Sequence, residues 1–212
     1  MTTSDHIVFV IDDDPLVGKS LARLLRIHGH PTETFESIAH FMSRALYSGP
    51  GCFLLDVRLP EMSGLEATQK LSDANYNQPT VFMSGYADVA TSVRAMKSGA
   101  VDYLSKPLAA DDLLAAVRAA LDKDRVQRIA RADLEQIREC LASLTPREHE
   151  VLLQVMRGQL NKQIAARLGV GLKTIKVHRA RVMQKMQTKT VADLVRVGLK
   201  AGIVDADAAN SP

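Results

Sequence analysis

The sequence predicts an α/β domain with a doubly wound parallel sheet, joined by a long helix to a smaller all-α domain of four helices. Up to about residue 120, five short apolar runs alternate with segments of helical periodicity. The segment Asp111–Leu141 then contains no glycine or proline, which favours one uninterrupted helix. Because 212 residues exceed the usual size of one domain, we expect two domains.

Five strand-helix units follow from local patterns in the first domain. Ile7–Ile11 is an apolar, β-branched run, and Asp14 before Pro15 matches the N-cap of a helix that we expect to run to Gly29. The continuous apolar run Cys52–Leu55 suits a strand that helices cover on both faces, as in parallel sheets. The other predicted strands are 32–35, 80–83 and 101–104, and the other predicted helices are 37–47, 64–74, 88–98 and one from about 111.

The domain boundaries are expected at the long helix. Residues 1–120 would form the α/β domain, 121–142 a helical linker continuing its last helix, and 143–202 the all-α domain. The apolar pattern of the linker thins after Asp122, so part of it could pair with another chain. Residues 203–212 are expected to be disordered. The four helices of the second domain are predicted at 146–157, 161–168, 172–186 and 190–201.

Charge separates the two parts of the chain. Residues 1–145 carry 15 basic and 19 acidic groups, whereas residues 146–200 carry 12 and 3, a net charge of +9. The basic part predicts a nucleic acid partner. The two cysteines, Cys52 and Cys140, have no neighbour at metal-ligand spacing. With neither a signal peptide nor a membrane-spanning run in the sequence, we expect a cytoplasmic protein without a membrane partner.

Three aspartates are predicted to meet at one edge of the sheet. Asp12 and Asp13 follow the first strand and Asp56 ends the third, and these strands are neighbours in a flavodoxin-like order. Clustered carboxylates need a cation, and oxygen ligands with positions left for water and phosphate suit Mg²⁺. A carboxylate beside Mg²⁺ can attack a phosphoryl group and form an acyl phosphate. Lys106 and Ser84, at the ends of the fifth and fourth strands, can then bind that phosphate.

Several motifs of the first domain resemble the receiver domain of two-component response regulators over residues 6–120. They are Val-Ile-Asp12-Asp13-Asp14, Leu-Leu-Asp56-Val-Arg-Leu-Pro60-Glu-Met-Ser-Gly64, Met-Ser84-Gly85 and Tyr103-Leu-Ser-Lys106-Pro107. The resemblance implies that Asp56 accepts phosphate from a sensor histidine kinase. It implies a Mg²⁺ site formed by Asp12, Asp13, Asp56 and the backbone carbonyl of Arg58. It also assigns Lys106 to the phosphoryl group, and Ser84 and Tyr103 to a switch that leads to dimerisation.

The second domain shows the spacing of a helix-turn-helix. Ile164, Ala165 and Leu168 share one face of a short helix, and Gly169 makes the turn into a second helix. A basic helix alone is more often a solvated face, but the preceding turn and the net charge of this segment favour DNA binding. The second helix can present cations and hydrogen-bond donors to DNA from Lys173, Thr174, Lys176, Arg179 and Arg181.

Three motifs of this domain resemble the LuxR-type domain of NarL and FixJ regulators over residues 143–202. They are Leu144-Thr-Pro146-Arg-Glu148-His-Glu150-Val151, Asn161-Lys162-Gln-Ile-Ala165 and Thr174-Ile-Lys-Val-His178-Arg, and Gly85-Tyr-Ala-Asp88 with Met96-Lys-Ser-Gly-Ala100 favour the FixJ branch. The resemblance implies base contacts from Lys176 and Val177, and a dimer contact from Val195 and Leu199. It implies phosphate contacts from Asn161, Lys162, Thr174 and Arg181. Ala180 stands where some relatives carry a base-contacting lysine, which puts one contact in doubt.

These features together predict a phosphorylation-controlled, DNA-binding transcription regulator that dimerises, with RNA polymerase as a further candidate partner, and not a metabolic enzyme. An aspartate-nucleophile phosphatase would need a second acid where Arg58 stands. A dinucleotide-binding domain would need a glycine-rich first turn rather than Asp12–Asp14. The alternative that stays open is a DNA-binding regulator whose receiver domain is a phosphorylation-independent interaction module.

Overall fold

The structure is a computed structural model that describes residues 6–85 and 89–203. It contains two compact units that divide between Arg128 and Ile129. The first unit holds a parallel sheet with helices, and the described part of the second unit is helical, which confirms the predicted fold class. Among the described residues, no helix has both the length and the hydropathy needed to cross a bilayer.

Within the described residues, the sheet of the first unit has five parallel strands. They are β1 (Ile7–Ile11), β2 (Thr32–Phe35), β3 (Gly51–Asp56), β4 (Thr80–Ser84) and β5 (Asp102–Ser105). Their order is β2-β1-β3-β4-β5, so that β1 and β3 are neighbours at the centre of the sheet. Ile11 pairs with Leu55 in this register, which brings the carboxyl ends of β1 and β3 together.

Helices follow each strand of the first unit. They are α1 (Pro15–Ile27), α2 (Ile38–Met42), α3 (Gly64–Asp73), α4 (Val89–Lys97) and α5 (Ala110–Ala142). Asp14 caps α1 as predicted, since its side chain accepts a hydrogen bond of 2.8 Å from the N–H of Leu16. The 33 residues of α5 confirm one uninterrupted helix and include the whole predicted linker. The predicted start of α4, Asp88, lies outside the described residues.

Helix α2 is shorter than the predicted segment 37–47, because the chain leaves the helix after Met42. The Arg44 guanidinium lies 4.9 Å from the centre of the Phe9 ring. Tyr47 packs edge-on against the same ring, with 5.3 Å between centroids. Arg44 and Tyr47 therefore pack on this buried ring and do not continue the helix. A tertiary contact of this kind cannot be predicted from the local spacing of apolar residues.

Helices cover both faces of the sheet, because successive side chains of a strand point to opposite sides. One buried cluster contains Val10 and Leu54 from the strands with Leu25 of α1 and Val117 of α5. The opposite cluster contains Phe9, Phe53 and Phe82 from the strands with Phe41 of α2 and Leu71 of α3. The continuous apolar runs of the central strands are thereby explained.

Side chains of α5 hold the sheet edge opposite Asp56. Asp124 is buried, and its Oδ2 accepts a hydrogen bond of 3.1 Å from the N–H of Gly51, the first residue of β3. One turn later, Arg128 donates to the carbonyl oxygen of Ser48 at 2.7 Å. These contacts position the beginning of the strand that ends at Asp56.

The helices of the second unit surround a separate apolar core. They are α6 (Pro146–Met156), α7 (Asn161–Leu168), α8 (Leu172–Lys185) and α9 (Val191–Lys200). Buried contributions come from each of them, including Val151, Ile164, Ile175 and Leu194. Ile203, expected to begin a disordered tail, packs against this core, and residues 204–212 lie outside the described residues.

A buried carboxylate connects α6 with α8. Glu148 is 3% exposed, and its Oε2 accepts hydrogen bonds from Lys185 Nζ at 2.7 Å and from the N–H of Thr145 at 3.0 Å. The bonds from Lys185 and Thr145 lower the pKa of Glu148 to about 2. The carboxylate is therefore ionised at neutral pH and joins two helices of the core.

Candidate phosphorylation site and nucleic-acid interface

Asp12 and Asp56 lie side by side, because the neighbouring strands β1 and β3 lead to them. They are 2% and 6% exposed, whereas Asp13 is exposed to solvent. One carboxylate oxygen from each of the three residues lies within 4.8 Å of the others. The N–H of Asp14 donates to Asp12 Oδ1 at 3.1 Å and orients that carboxylate. The structure thus brings the three predicted aspartates together.

Lys106 brings a positive charge into this pocket. Its backbone N–H donates to the carbonyl oxygen of Ser84 at 2.7 Å, and its peptide bond with Pro107 is cis. The ammonium group donates to Asp12 Oδ2 at 2.6 Å and also to Asp56 Oδ2. Burial alone would lower the pKa of Lys106, but the hydrogen bonds with both carboxylates raise it above its usual value. Lys106 therefore remains charged.

The loop after Asp56 holds the second oxygen of its carboxylate. Asp56 Oδ1 accepts a hydrogen bond of 2.7 Å from the N–H of Arg58. The loop closes tightly, since the N–H of Gly64 donates to the carbonyl oxygen of Val57 at 2.8 Å. A Cβ on Gly64 would lie 2.8 Å from the Asp56 carbonyl oxygen and 3.0 Å from the Phe82 ring. The sequence did not predict either the hydrogen bond from the Arg58 N–H or the close approach of Gly64 to Asp56. The only signal was that Gly64 belongs to one of the receiver motifs.

The two predicted switch residues lie on β4 and β5. Ser84 is 2% exposed and follows Met83, which pairs with Asp56 in the register of the sheet. Ser84 therefore lies at the same edge as the aspartates. Tyr103 is half-buried, pairs with Phe82 and packs against the aromatic side of the core.

The donor set of the pocket fits a hard divalent cation. Among the described groups, the carboxylates of Asp12, Asp13 and Asp56 outnumber the ammonium group of Lys106, which contacts two of them, so these four ionised groups together are net negative. Burial raises the pKa of Asp12, which reflects the cost of the buried charge, although the bond from Lys106 opposes this effect. Oxygen donors of this kind favour Mg²⁺.

The helix-turn-helix is formed by α7 and α8. Gly169 ends α7 in the left-handed conformation, with φ of 63°. Ile164 on α7 and Ile175 and Val182 on α8 are fully buried, so these faces pack against the core. The opposite surface is exposed and carries six of the predicted DNA contacts: Lys162, Lys173, Thr174, Lys176, Val177 and Arg181.

The remaining two predicted DNA contacts bind each other. Arg179 Nη1 donates to Asn161 Oδ1 at 2.8 Å, and both side chains are half-buried. The sequence predicted that both residues contact DNA but did not indicate that they form a pair.

The predicted dimer contacts of the second unit lie on α9. Leu199 is 58% exposed and Val195 is half-buried, so both lie at the surface.

Both domains of the chain match known protein families. A profile of the response regulator receiver domain matches residues 8–118, and one of the bacterial regulatory proteins of the luxR family matches residues 142–197. The response regulator protein TodT of Pseudomonas putida is 40% identical over 197 residues, 93% of this chain and 87% of TodT. The transcriptional regulatory protein FixJ of Rhizobium meliloti is 36% identical over 199 residues, 94% of this chain and 98% of FixJ.

Solved structures agree with the sequence relatives. The structure of the response regulator StyR matches with a TM-score of 0.81 and 39% identity, over 93% of this chain and 100% of the StyR chain. Full-length FixJ from B. japonicum matches with a TM-score of 0.56 and 36% identity, over 96% of this chain and 100% of that chain. With both domains matched and relatives aligned over most of their length, the chain belongs to the NarL/FixJ family of DNA-binding, two-component response regulators.

Proposed function

We propose that a sensor histidine kinase phosphorylates this protein on Asp56, and that the phosphorylated form dimerises and regulates transcription. The observation that carries the proposal is the ammonium group of Lys106, which bonds to both Asp12 and Asp56 in one buried pocket. A carboxylate poised beside a fixed cation suits the transfer of a phosphoryl group, whose oxygens bring further negative charge.

Each oxygen of Asp56 has a distinct role in this proposal. The N–H of Arg58 holds Oδ1, so Oδ2 is the atom that attacks phosphorus. The oxygen–phosphorus bond forms as the phosphorus–nitrogen bond of the phosphohistidine breaks, and the leaving imidazole keeps the electron pair and takes a proton from solvent. Lys106 then transfers its hydrogen bond from Oδ2 to a phosphoryl oxygen.

The pocket would hold Mg²⁺ during this reaction. Its ligands would be the carboxylates of Asp12, Asp13 and Asp56 with the backbone carbonyl of Arg58. When bound, the ion offsets the negative charge of the carboxylates and of the incoming phosphoryl oxygens. Loss of any one of these carboxylates should therefore weaken Mg²⁺ binding more than loss of an acidic side chain outside the pocket.

Ser84 and Tyr103 would couple phosphorylation of Asp56 to a change at the surface of the domain. In the phosphorylated state, the Ser84 hydroxyl donates to the phosphoryl group, and Tyr103 on the neighbouring strand changes its packing. Ser84 is supported by its burial at the acidic edge, and Tyr103 by its half-buried position. The altered surface promotes dimerisation of the chain.

DNA binding would use the exposed surface of α7 and α8. Lys176 and Val177 face base edges in the major groove. The phosphate contacts come from Asn161, Lys162, Thr174 and Arg181, and Lys173 presents a further cation to the DNA. Val195 and Leu199 form the contact between two DNA-binding domains on a two-fold-symmetric site, where the bound dimer meets RNA polymerase. A promoter partner implies that the protein acts in the cytoplasm.

Acetyl phosphate with Mg²⁺ offers a direct test. Intact mass spectrometry measures phosphorylation, and light scattering measures the oligomeric state, each with and without a chelator. Wild type should gain one phosphoryl group and dimerise only with Mg²⁺, and Asp56→Asn should do neither. Asp73→Asn, which removes an exposed carboxylate of α3, is the matched control and should behave like wild type. An unmodified wild type, with candidate kinases also tried, would instead favour a receiver domain that works without phosphorylation.

A further inference from the structure

Arg179 differs from the other predicted cationic DNA contacts in its surroundings. Lys173, Lys176 and Arg181 on the same helix are exposed, whereas Arg179 is half-buried. Its Nη1 donates at 2.8 Å to the side-chain oxygen of Asn161, which lies 18 residues earlier at the start of α7. The guanidinium is thus already bonded within the protein, at the junction of the two helices.

We infer that Arg179 acts on DNA through Asn161, as a positioning residue, and does not itself contact a phosphate. An amide has one accepting oxygen and one donating NH₂ group, and rotation about its last bond exchanges them. The guanidinium can only donate, so its bond to Asn161 Oδ1 selects one of the two orientations. In that orientation the NH₂ group of Asn161 is left to donate to a phosphate oxygen.

Without Arg179, the Asn161 amide can present its oxygen to the DNA in place of its NH₂ group. A carbonyl oxygen cannot bond to a phosphate oxygen, because both only accept. The ordering of Asn161 before binding would be lost as well, and fixing a side chain during association weakens binding. This inference rests on the proposed DNA binding and deepens it, since it assigns different roles to two neighbouring residues.

Salt dependence separates a positioning residue from a phosphate contact. A cation that neutralises a phosphate releases a counterion, so its removal lowers the slope of log K against log salt by ~1. Asn161 is neutral, and losing its contact should leave that slope almost unchanged. Arg179→Met should therefore weaken binding with little change in slope, whereas Arg181→Met should reduce the slope.

The experiment uses the full chain, phosphorylated with acetyl phosphate, and a duplex that the wild type enriches from a random-sequence library. Affinity is measured over a series of salt concentrations for Arg179→Met, Asn161→Ala and the double variant. Asn161→Ala should weaken binding roughly tenfold, as expected for one lost hydrogen bond to an ionised group. Arg179→Met should weaken it by about two- to tenfold, because the freed amide can still turn its NH₂ group to the phosphate at the cost of being fixed during binding. The double variant should be no weaker than Asn161→Ala, because Arg179 has no effect without its partner. Arg167→Met, which removes an exposed charge from α7, controls for the change in net charge.

Two results would overturn the inference. One is a slope that falls by ~1 in Arg179→Met, with a further loss of affinity when Asn161→Ala is added. The other is an equal loss of thermal stability and affinity in Arg179→Met while Asn161→Ala binds normally, which would make the pair structural only. If the phosphorylated wild type enriches no duplex at all, the proposed function fails together with the inference, and this outcome is visible before any variant is compared.

Discussion

The ammonium group of Lys106 lies 2.6 Å from Asp12 Oδ2, although the two residues are 94 positions apart in the chain. The contact exists because β1 and β5 deliver both residues to the same edge of the sheet. It offsets only part of the cost of burying the Asp12 carboxylate, whose pKa stays raised by burial. In the proposed function, a cation and a phosphoryl group would use this arrangement, and its cost is a loss of stability in the protein without them.

Asp12→Asn should therefore stabilise the Mg²⁺-free protein at neutral pH, by about 1 kcal/mol. A raised pKa means that the folded state holds the Asp12 proton more tightly than the unfolded state, so folding loses stability as pH rises through the raised pKa. The advantage of the variant should vanish below the ordinary pKa of 3.8 and reach its full size above the raised value. Urea unfolding of both proteins with a chelator at several pH values measures this. A variant less stable than wild type at pH 7 would contradict the explanation.

Gly64→Ala should destabilise the receiver domain by about 1–3 kcal/mol, as overpacking of a tight site does. The added methyl group would lie 2.8 Å from the carbonyl oxygen of Asp56, so the loop that orients this residue must move. Phosphorylation by acetyl phosphate should slow in parallel. Gly18→Ala is the control. Gly18 lies in α1, and an added Cβ would lie 3.7 Å from Thr34, which is an ordinary van der Waals contact. We therefore expect this substitution to be neutral or stabilising. Equal effects of the two variants on urea unfolding would show that the close contact is irrelevant.

Asp124→Ala should destabilise the first unit by roughly 2 kcal/mol, because the N–H of Gly51 loses a charged acceptor in a buried position. Tyrosine fluorescence during urea unfolding is a suitable measurement. Asp122→Ala, two residues away, removes only an exposed ion pair with Arg125 and should change stability by less than about 0.5 kcal/mol. If both variants behave alike, the bond from α5 to β3 does not contribute to stability.

Acid should weaken the second unit through Glu148. A pKa of about 2 against an ordinary 4.5 means that the ionised carboxylate stabilises the fold above pH 4.5, and this contribution is lost as pH falls toward about 2. Glu148→Gln should be less stable than wild type at pH 7 and should lack this part of the pH dependence. Methyl NMR signals of Ile164 and Val182, both buried in this unit, report its unfolding directly. In the control Glu150→Gln, which alters an exposed carboxylate, the pH dependence should persist.

Lys176→Gln should change the sequence preference of DNA binding, whereas Lys162→Gln should lower the affinity for all sequences. Loss of a base contact at Lys176 should relax the preference at one base pair, at a cost of about 1–3 kcal/mol on the preferred sequence. Loss of a phosphate contact at Lys162 should weaken binding to all sequences about equally and lower the salt slope by ~1. Selection from a random-sequence library, repeated with each variant, reads out the difference. A uniform effect from Lys176→Gln would place this lysine on the DNA backbone instead.

The sequence predicted those features that depend on short segments and on general rules of sheet topology. Asp12 and Asp56 each follow an apolar run, and parallel strands bring such positions to one edge. The pairs Asp124–Gly51 and Asn161–Arg179 were not predicted, because each joins residues that are distant in the chain and whose geometry depends on packing. The early end of α2 has the same cause, since the ring of Phe9 draws Tyr47 away from the helical path.

The three consecutive aspartates are identical in composition but not interchangeable. Asp12 is buried in the pocket, Asp13 is exposed beside it, and Asp14 caps α1. Deleting one residue of the run would leave two aspartates for three positions, so that either the pocket or the N-cap of α1 loses its carboxylate. Deletions here should be far more damaging than single substitutions, because they also shorten the connection between β1 and α1.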